Sequence, residues 1–173
     1  MLLQERHSRS VLARMLFFQQ PVCVPVGAHA PMLNAIAREA QQISAGQNVI
    51  FSATRVRSRR CACSNGWLNH VEGSGLFTIT NRGNQPMAVE LQYNCNVTAS
   101  AAGETALVME LNGESIGGTE MDYTVVTAGV FQNVGASTLI PIPAGSDLTV
   151  SVGNISAGTV LVKDANLIIK KLS

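Results

Sequence analysis

The sequence predicts an all-β protein: a two-sheet jelly-roll sandwich preceded by a short N-terminal helix and an extended arm. Three observations carry that prediction. From Met87 to Thr98 the chain alternates without a break. Met87, Val89, Leu91, Tyr93, Cys95 and Val97 point one way, and Ala88, Glu90, Gln92, Asn94, Asn96 and Thr98 the other, which is the period of a half-buried strand. Further short stretches of the same kind follow at near-regular spacing with turn residues between them, the mark of a sandwich or barrel. Finally, 46% of the 173 residues are hydrophobic and only 13% charged, where about 25% charged is usual. That composition excludes a disordered chain and a charge-laced helical bundle.

Taken in order, residues 1–30 form the arm or a targeting extension. Arg6, Arg9 and Arg14 precede Met15-Leu16-Phe17-Phe18, and Ala28-His29-Ala30 resembles a small-x-small cleavage site, the outline of a secretory signal. Gln19, Gln20, Pro21 and Pro25 interrupt the apolar stretch. A translation start at Met32, or an arm lying on a neighbouring subunit, accounts for the segment equally well. Residues 31–45 read as an amphipathic helix. Pro31 suits a first helical position, and Leu33, Ile36, Ala40 and Ile43 recur at coiled-coil spacing. A helix of about three turns is not stable alone and needs copies of itself or the following domain.

Residues 46–173 form the sandwich. Asn48–Ala53 reads as its first strand and Gly75–Thr80 as another, closed by the turn Asn81-Arg82-Gly83-Asn84. Thr105–Leu111 ends at Asn112-Gly113, the strongest hairpin signal present. Ser115–Met121, Tyr123–Val134 and Ser137–Ile142 follow. Pro143-Ala144-Gly145-Ser146 then turns into Asp147–Val152, and Asn154–Gly158 into Thr159–Leu172. Two of these strands are apolar on both faces: Ala106-Leu107-Val108-Met109, and Val160-Leu161-Val162 with Leu167-Ile168-Ile169. An antiparallel sandwich strand ordinarily keeps one polar face. A second copy of the chain is the economical cover, which makes Leu33, Ile36, Ala40, Ile43, Leu107, Met109, Leu161 and Ile168 the expected subunit interface.

Net charge is +1, but residues 1–60 carry +6 and residues 61–173 carry −5. The densest basic cluster, Arg55, Arg57, Arg59 and Arg60, reads as a solvated loop or as a grip for an anionic partner, with Trp67 beside it as a core residue or a sugar-stacking platform. No aromatic residues interleave with the arginines, so nucleic-acid stacking is unsupported. Cys23, Cys61, Cys63 and Cys95 are too few and too irregular for a disulfide scaffold. Cys61-Ala62-Cys63 lacks the second pair of a structural zinc site, so neither metal nor cofactor is expected. No apolar run approaches the ~18 residues of a membrane span. A catalytic triad would require His70 with Asp122, Asp147 or Asp164, and nothing activates a serine beside it. No enzyme is expected. Asn96-Val97-Thr98 and Asn154-Ile155-Ser156 match glycosylation sequons.

Several landmarks run in a recognisable order: Gly46-Gln47-Asn48-Val49-Ile50-Phe51, Gly75-Leu76-Phe77-Thr78-Ile79, the long strand containing Tyr93, Leu107 to Gly113, Pro143 to Val150, and Ala165 to Leu172. Together they resemble the tumour-necrosis-factor-like jelly roll, the trimeric head of complement-type and collagen-like proteins. They are similar in feel to heads of spore-surface collagen-like glycoproteins and of phage fibre or decoration proteins. No Gly-x-y stalk is present. The resemblance implies a homotrimer serving display or adhesion on a virion, cell or spore surface. Its N-terminal segment would attach to a capsid, tail or surface-layer protein. The alternative is a carbohydrate-binding module with Trp67, Tyr93 or Tyr123 as its stacking face.

Overall fold

A computed structural model describes residues 30–57 and 66–172. Among them lie twelve strands and no helix: β1 (Met32–Ala37), β2 (Gln41–Ile43), β3 (Ala53–Arg57), β4 (Leu68–His70), β5 (Phe77–Thr80), β6 (Met87–Ala99), β7 (Gly103–Leu111), β8 (Glu114–Ser115), β9 (Met121–Val125), β10 (Gln132–Ile142), β11 (Asp147–Asn154) and β12 (Val160–Lys171). They form two six-stranded sheets. The first runs β10-β6-β12-β1-β3, with β2 also on β12. The second runs β4-β5-β11-β7-β8, with β9 also on β7. Every pairing is antiparallel.

The core fills the space between the sheets. β6 behaves as its alternation demands, burying Met87, Val89, Leu91, Tyr93, Cys95 and Val97. From the facing sheet come Phe77, Ile79, Leu107, Met109, Val150 and Val152. Phe51 meets Phe77 edge-to-face at 5.2 Å and Tyr93 at 6.4 Å, the offset geometry aromatic rings prefer. Asn112 and Gly113 both take left-handed backbone angles, φ 53° and 82°. They close the β7–β8 hairpin with the mirror-image turn that Asn-Gly favours.

The expected helix over 31–45 is replaced by β1 and β2. Leu33, Ala35 and Ala37 are buried, a period of two, and β1 is zipped between β12 (Leu33 opposite Ile169) and β3 (Leu33 opposite Arg57). A three-turn helix has little stability of its own, whereas β1 gains two ladders and a place in the core. The helical spacing is coincidental: Leu33 and Ile43 face the core, Ala40 is exposed in the turn, and Ile36 faces the other way. Among the described residues the first sheet therefore already includes Met32–Ala37, ahead of residue 46.

Two other boundaries move. Asn48–Phe51 forms only isolated bridges, Asn48 to Gly153 and Phe51 to Ser74, and regular pairing starts at Ala53, the first residue of β3, although Val49 and Phe51 are fully buried. Tyr123–Val134 is broken at a turn in which the Val130 amide donates to the Thr127 carbonyl at 3.2 Å and Gly129 has φ 78°.

Candidate functional site

The outward face of the first sheet mixes amides, hydroxyls and a few apolar side chains. Cross-strand register sets it out in rows. Asn34, Ile168, Gln92 and Ser137 form one row, and Ile36, Asn166, Asn94 and Gly135 the next. Leu161 lies opposite Thr98 towards one end, and Lys170 opposite Glu90 towards the other, paired at 3.5 Å. The Asn34 amide donates to the Asn166 side chain and, at 3.3 Å, to the Leu167 carbonyl. The centre of the face thus holds the bonded amide pair Asn34–Asn166 beside half-buried Ile36 and Ile168. Gly135 is required by the close approach of β10 and β6, since a Cβ there would stand 2.8 Å from the Tyr93 carbonyl oxygen.

The eight expected interface residues divide. Ile36, Leu161 and Ile168 lie on this outward face, and Ala40 is exposed beside it. Leu33, Ile43, Leu107 and Met109 are at most 3% exposed within their own chain, so no neighbour has anything left to cover; they are core. The apolar outward side of β7 is likewise covered by its own chain. Val108 is fully buried, and the turn after β11 lies against Ala106, whose amide donates to Ser156 Oγ at 2.7 Å while its carbonyl accepts from the Ile155 amide. Among the apolar residues on the outward sides of these two strands, Ala106, Leu161 and Ile168 stay partly open.

Between Lys163 and Asn166 the β12–β6 register slips, and Asp164 takes a left-handed φ of 52°. A β-bulge of this kind re-aims side chains. It opens a notch of about 400 Å³ lined by Ile36, Arg38, Arg55, Asn94, Asp164 and Asn166, among others. Asn96 Nδ2 donates to the Asp164 carboxylate at 3.0 Å. Arg55 is therefore placed at a concavity of the sheet, together with Arg38, which sequence reasoning did not single out. The two are distant in sequence, and only the β1–β3 pairing joins them. The Arg57 side chain, Arg59, Arg60, Cys23, Cys61, Cys63 and the N-terminal arm lie outside the described residues.

The remaining candidates are structural. Trp67 is half-buried and packs against the core. Tyr93 is 1% exposed and Tyr123 9%, so neither ring offers a sugar-stacking face. His70 is buried, stacked on Phe77 at 4.0 Å, with Nδ1 3.1 Å from the Leu76 carbonyl. It is a core residue, not one poised beside a nucleophile. Asn154 is fully buried and its side-chain nitrogen donates to the carbonyls of Ile43 (2.9 Å) and Gly158 (2.8 Å), so that sequon is inaccessible in the folded chain. Burial pushes the Cys95 thiol up to about 11 and Tyr93 well above its ordinary value, because neither can shed a proton cheaply into an apolar core. Among the described residues no group of His, Cys, Asp or Glu is arranged to hold a metal, and no helix is long and apolar enough to cross a membrane.

This sheet order, with β1, β12 and β6 in one layer and β5, β11 and β7 in the other, is a jelly-roll sandwich similar in fold to solved tumour-necrosis-factor-type structures. Murine APRIL matches with a TM-score of 0.58 at 13% identity, over 83% of this chain and 100% of that one. Eiger TNF from S. frugiperda matches with a TM-score of 0.54 at 11% identity, over 83% of this chain and 94% of that one. At such identities the similarity is one of fold. No protein-family model and no curated protein matches the sequence.

Proposed function

We propose that the chain is a non-enzymatic display head that assembles as a homotrimer through the outward face of the first sheet. The observation that carries this is the character of that face: Ile36, Leu161 and Ile168 are held partly open, Ile168 in a row with Asn34, Gln92 and Ser137 that carries no charge, on a protein with few charges to spare. Depletion of charge at the centre of a patch is what marks a subunit contact. The tumour-necrosis-factor-like fold supports the threefold arrangement and an extracellular or surface setting. Within that setting we favour a virion fibre or decoration head, with a bacterial or spore surface protein as the neighbouring assignment. In either case the chain preceding Met32 would make the attachment to a capsid, tail or surface-layer protein. Replacing Ile168 and Leu161 together by Asp tests the face. Buried charges without partners are not tolerated at a contact, so the variant should keep its β-sheet circular dichroism yet sediment as a monomer. An unchanged mass would remove this face from the assembly.

A further inference from the structure

Four turns, 44–47, 99–103, 126–130 and 155–159, gather at one end of the sandwich. Val160 stands opposite both Ala99 and Ile43 there, the Gly129 amide donates to the Ala99 carbonyl, and the Gly46 amide donates to the Asn154 carbonyl. Met32 is at the other end, opposite Lys170. None of the four turns contains a charged residue. Between the start of β12 and the turn after β9 lies a cleft of about 510 Å³, whose lining includes Gln42, Thr98, Ala99, Ala128 and Leu161. Its size is within the range of small-molecule sites, about 300–1,000 Å³. Among the described residues no ionisable side chain lines it. Lys163, the next outward residue of β12, holds its ammonium 4.2 Å over the Phe131 ring.

The wall of this cleft carries one unsatisfied group. Thr98 is 1% exposed, and its Oγ1 has no hydrogen-bond partner. Thr98 is opposite Leu161, and Leu161 is opposite Gln42, so the three form one row on the outward side of the sheet, where the cleft is. A buried hydroxyl left unpaired is destabilising and calls for a reason. The turn on the far side of the cleft is fastened by the Gly129–Ala99 and Val130–Thr127 hydrogen bonds, both 3.2 Å, at the long end of the usual range, and it can yield to an entering molecule.

We infer that this cleft binds a small uncharged molecule, its apolar body against Ala99, Ala128 and Leu161 and a hydroxyl or carbonyl oxygen on Thr98 Oγ1. A charged ligand would find no partner there. The walls come from one chain, so the inference does not need the homotrimer reading; Leu161 is shared with the face assigned to assembly.

Benzyl alcohol, toluene and benzoate offer one ring with a hydroxyl, with neither hydroxyl nor charge, and with a charge. Added to the ¹⁵N-labelled full chain, benzyl alcohol should shift the amides of Thr98, Ala99, Ala128, Gly129 and Leu161 saturably. A half-point of roughly millimolar is expected for a ligand of this size. Toluene should bind roughly three- to tenfold more weakly, and benzoate should leave these amides unmoved. Thr98→Val keeps the shape and removes the hydroxyl, so it should erase the preference for the alcohol. Ala128→Trp, on the exposed turn, should fill the cleft and abolish binding of both, with thermal melts confirming that each variant folds. No saturable shift at these amides, or binding that survives Ala128→Trp unchanged, overturns the site. A Thr98→Val protein that still prefers the alcohol overturns the role of the hydroxyl, and benzoate binding as tightly as the alcohol overturns the restriction to uncharged ligands.

Discussion

Asn154 ties three segments together: its amide donates to Ile43 and Gly158, and its Oδ1 accepts the Ser156 amide at 2.9 Å. Truncating it leaves buried backbone carbonyls unpaired. Asn154→Ala should therefore cost about 2–4 kcal/mol in a urea titration, with no change expected from adding a glycosylating host. The Tyr93 hydroxyl shows the converse, being buried with no oxygen or nitrogen partner and only the neighbouring Cys95 thiol beside it. Tyr93→Phe should leave stability unchanged or raise it by about 1 kcal/mol, since it deletes an unsatisfied group without opening a cavity. Cys95 sets an alkaline limit. In the unfolded chain its thiol ionises near 9, in the fold only near 11, so the stabilisation is complete below pH 9 and is lost as pH rises to 11. On the order of 2–3 kcal/mol should disappear over that window, and Cys95→Ala should flatten the decline in equilibrium unfolding measured across it. The remaining alkaline slope would come from Tyr93, whose ionisation burial also opposes. None of these roles is visible in the sequence except the burial of Tyr93 and Cys95, which the β6 alternation places correctly. The Asn154 sequon pointed outward only because a three-residue motif carries no information about depth.

Strands whose pattern is long enough to specify a face were legible in advance. β6 is one, β7 with its Asn112-Gly113 turn another, and β11 after Gly145 a third. β1 was not, because six residues fit a helix and a strand equally well until a partner is known. Its ladders with β12 and β3 come from residues more than a hundred and about twenty positions away, and local periodicity cannot weigh such contacts. The same blindness made β7 look doubly exposed, when the 154–158 turn of its own chain lies against it. β1 is nevertheless an integral strand. A chain beginning at Ser44 lacks the element that separates β12 from β3, exposing Leu167, Ile169 and both ladder edges. It should show no cooperative thermal transition, and a sharp melt like that of the full chain would mean that β1 is an accessory.

On the scale of the whole molecule, the charge asymmetry and the scarcity of charge were plain from composition. Their arrangement was not. Linear bookkeeping placed the basic charge in a loop after β3, whereas the fold brings Arg38 and Arg55 to one notch that Asp164 also lines. Four of the eight residues expected at a subunit contact are core. The case for assembly now stands on Ile36, Leu161 and Ile168 and on the uncharged rows around them. Sedimentation equilibrium of the full chain at micromolar concentration addresses this directly. A single species at three times the 18.3 kDa protomer mass is the result expected. A species at 18.3 kDa that does not grow with concentration would contradict it.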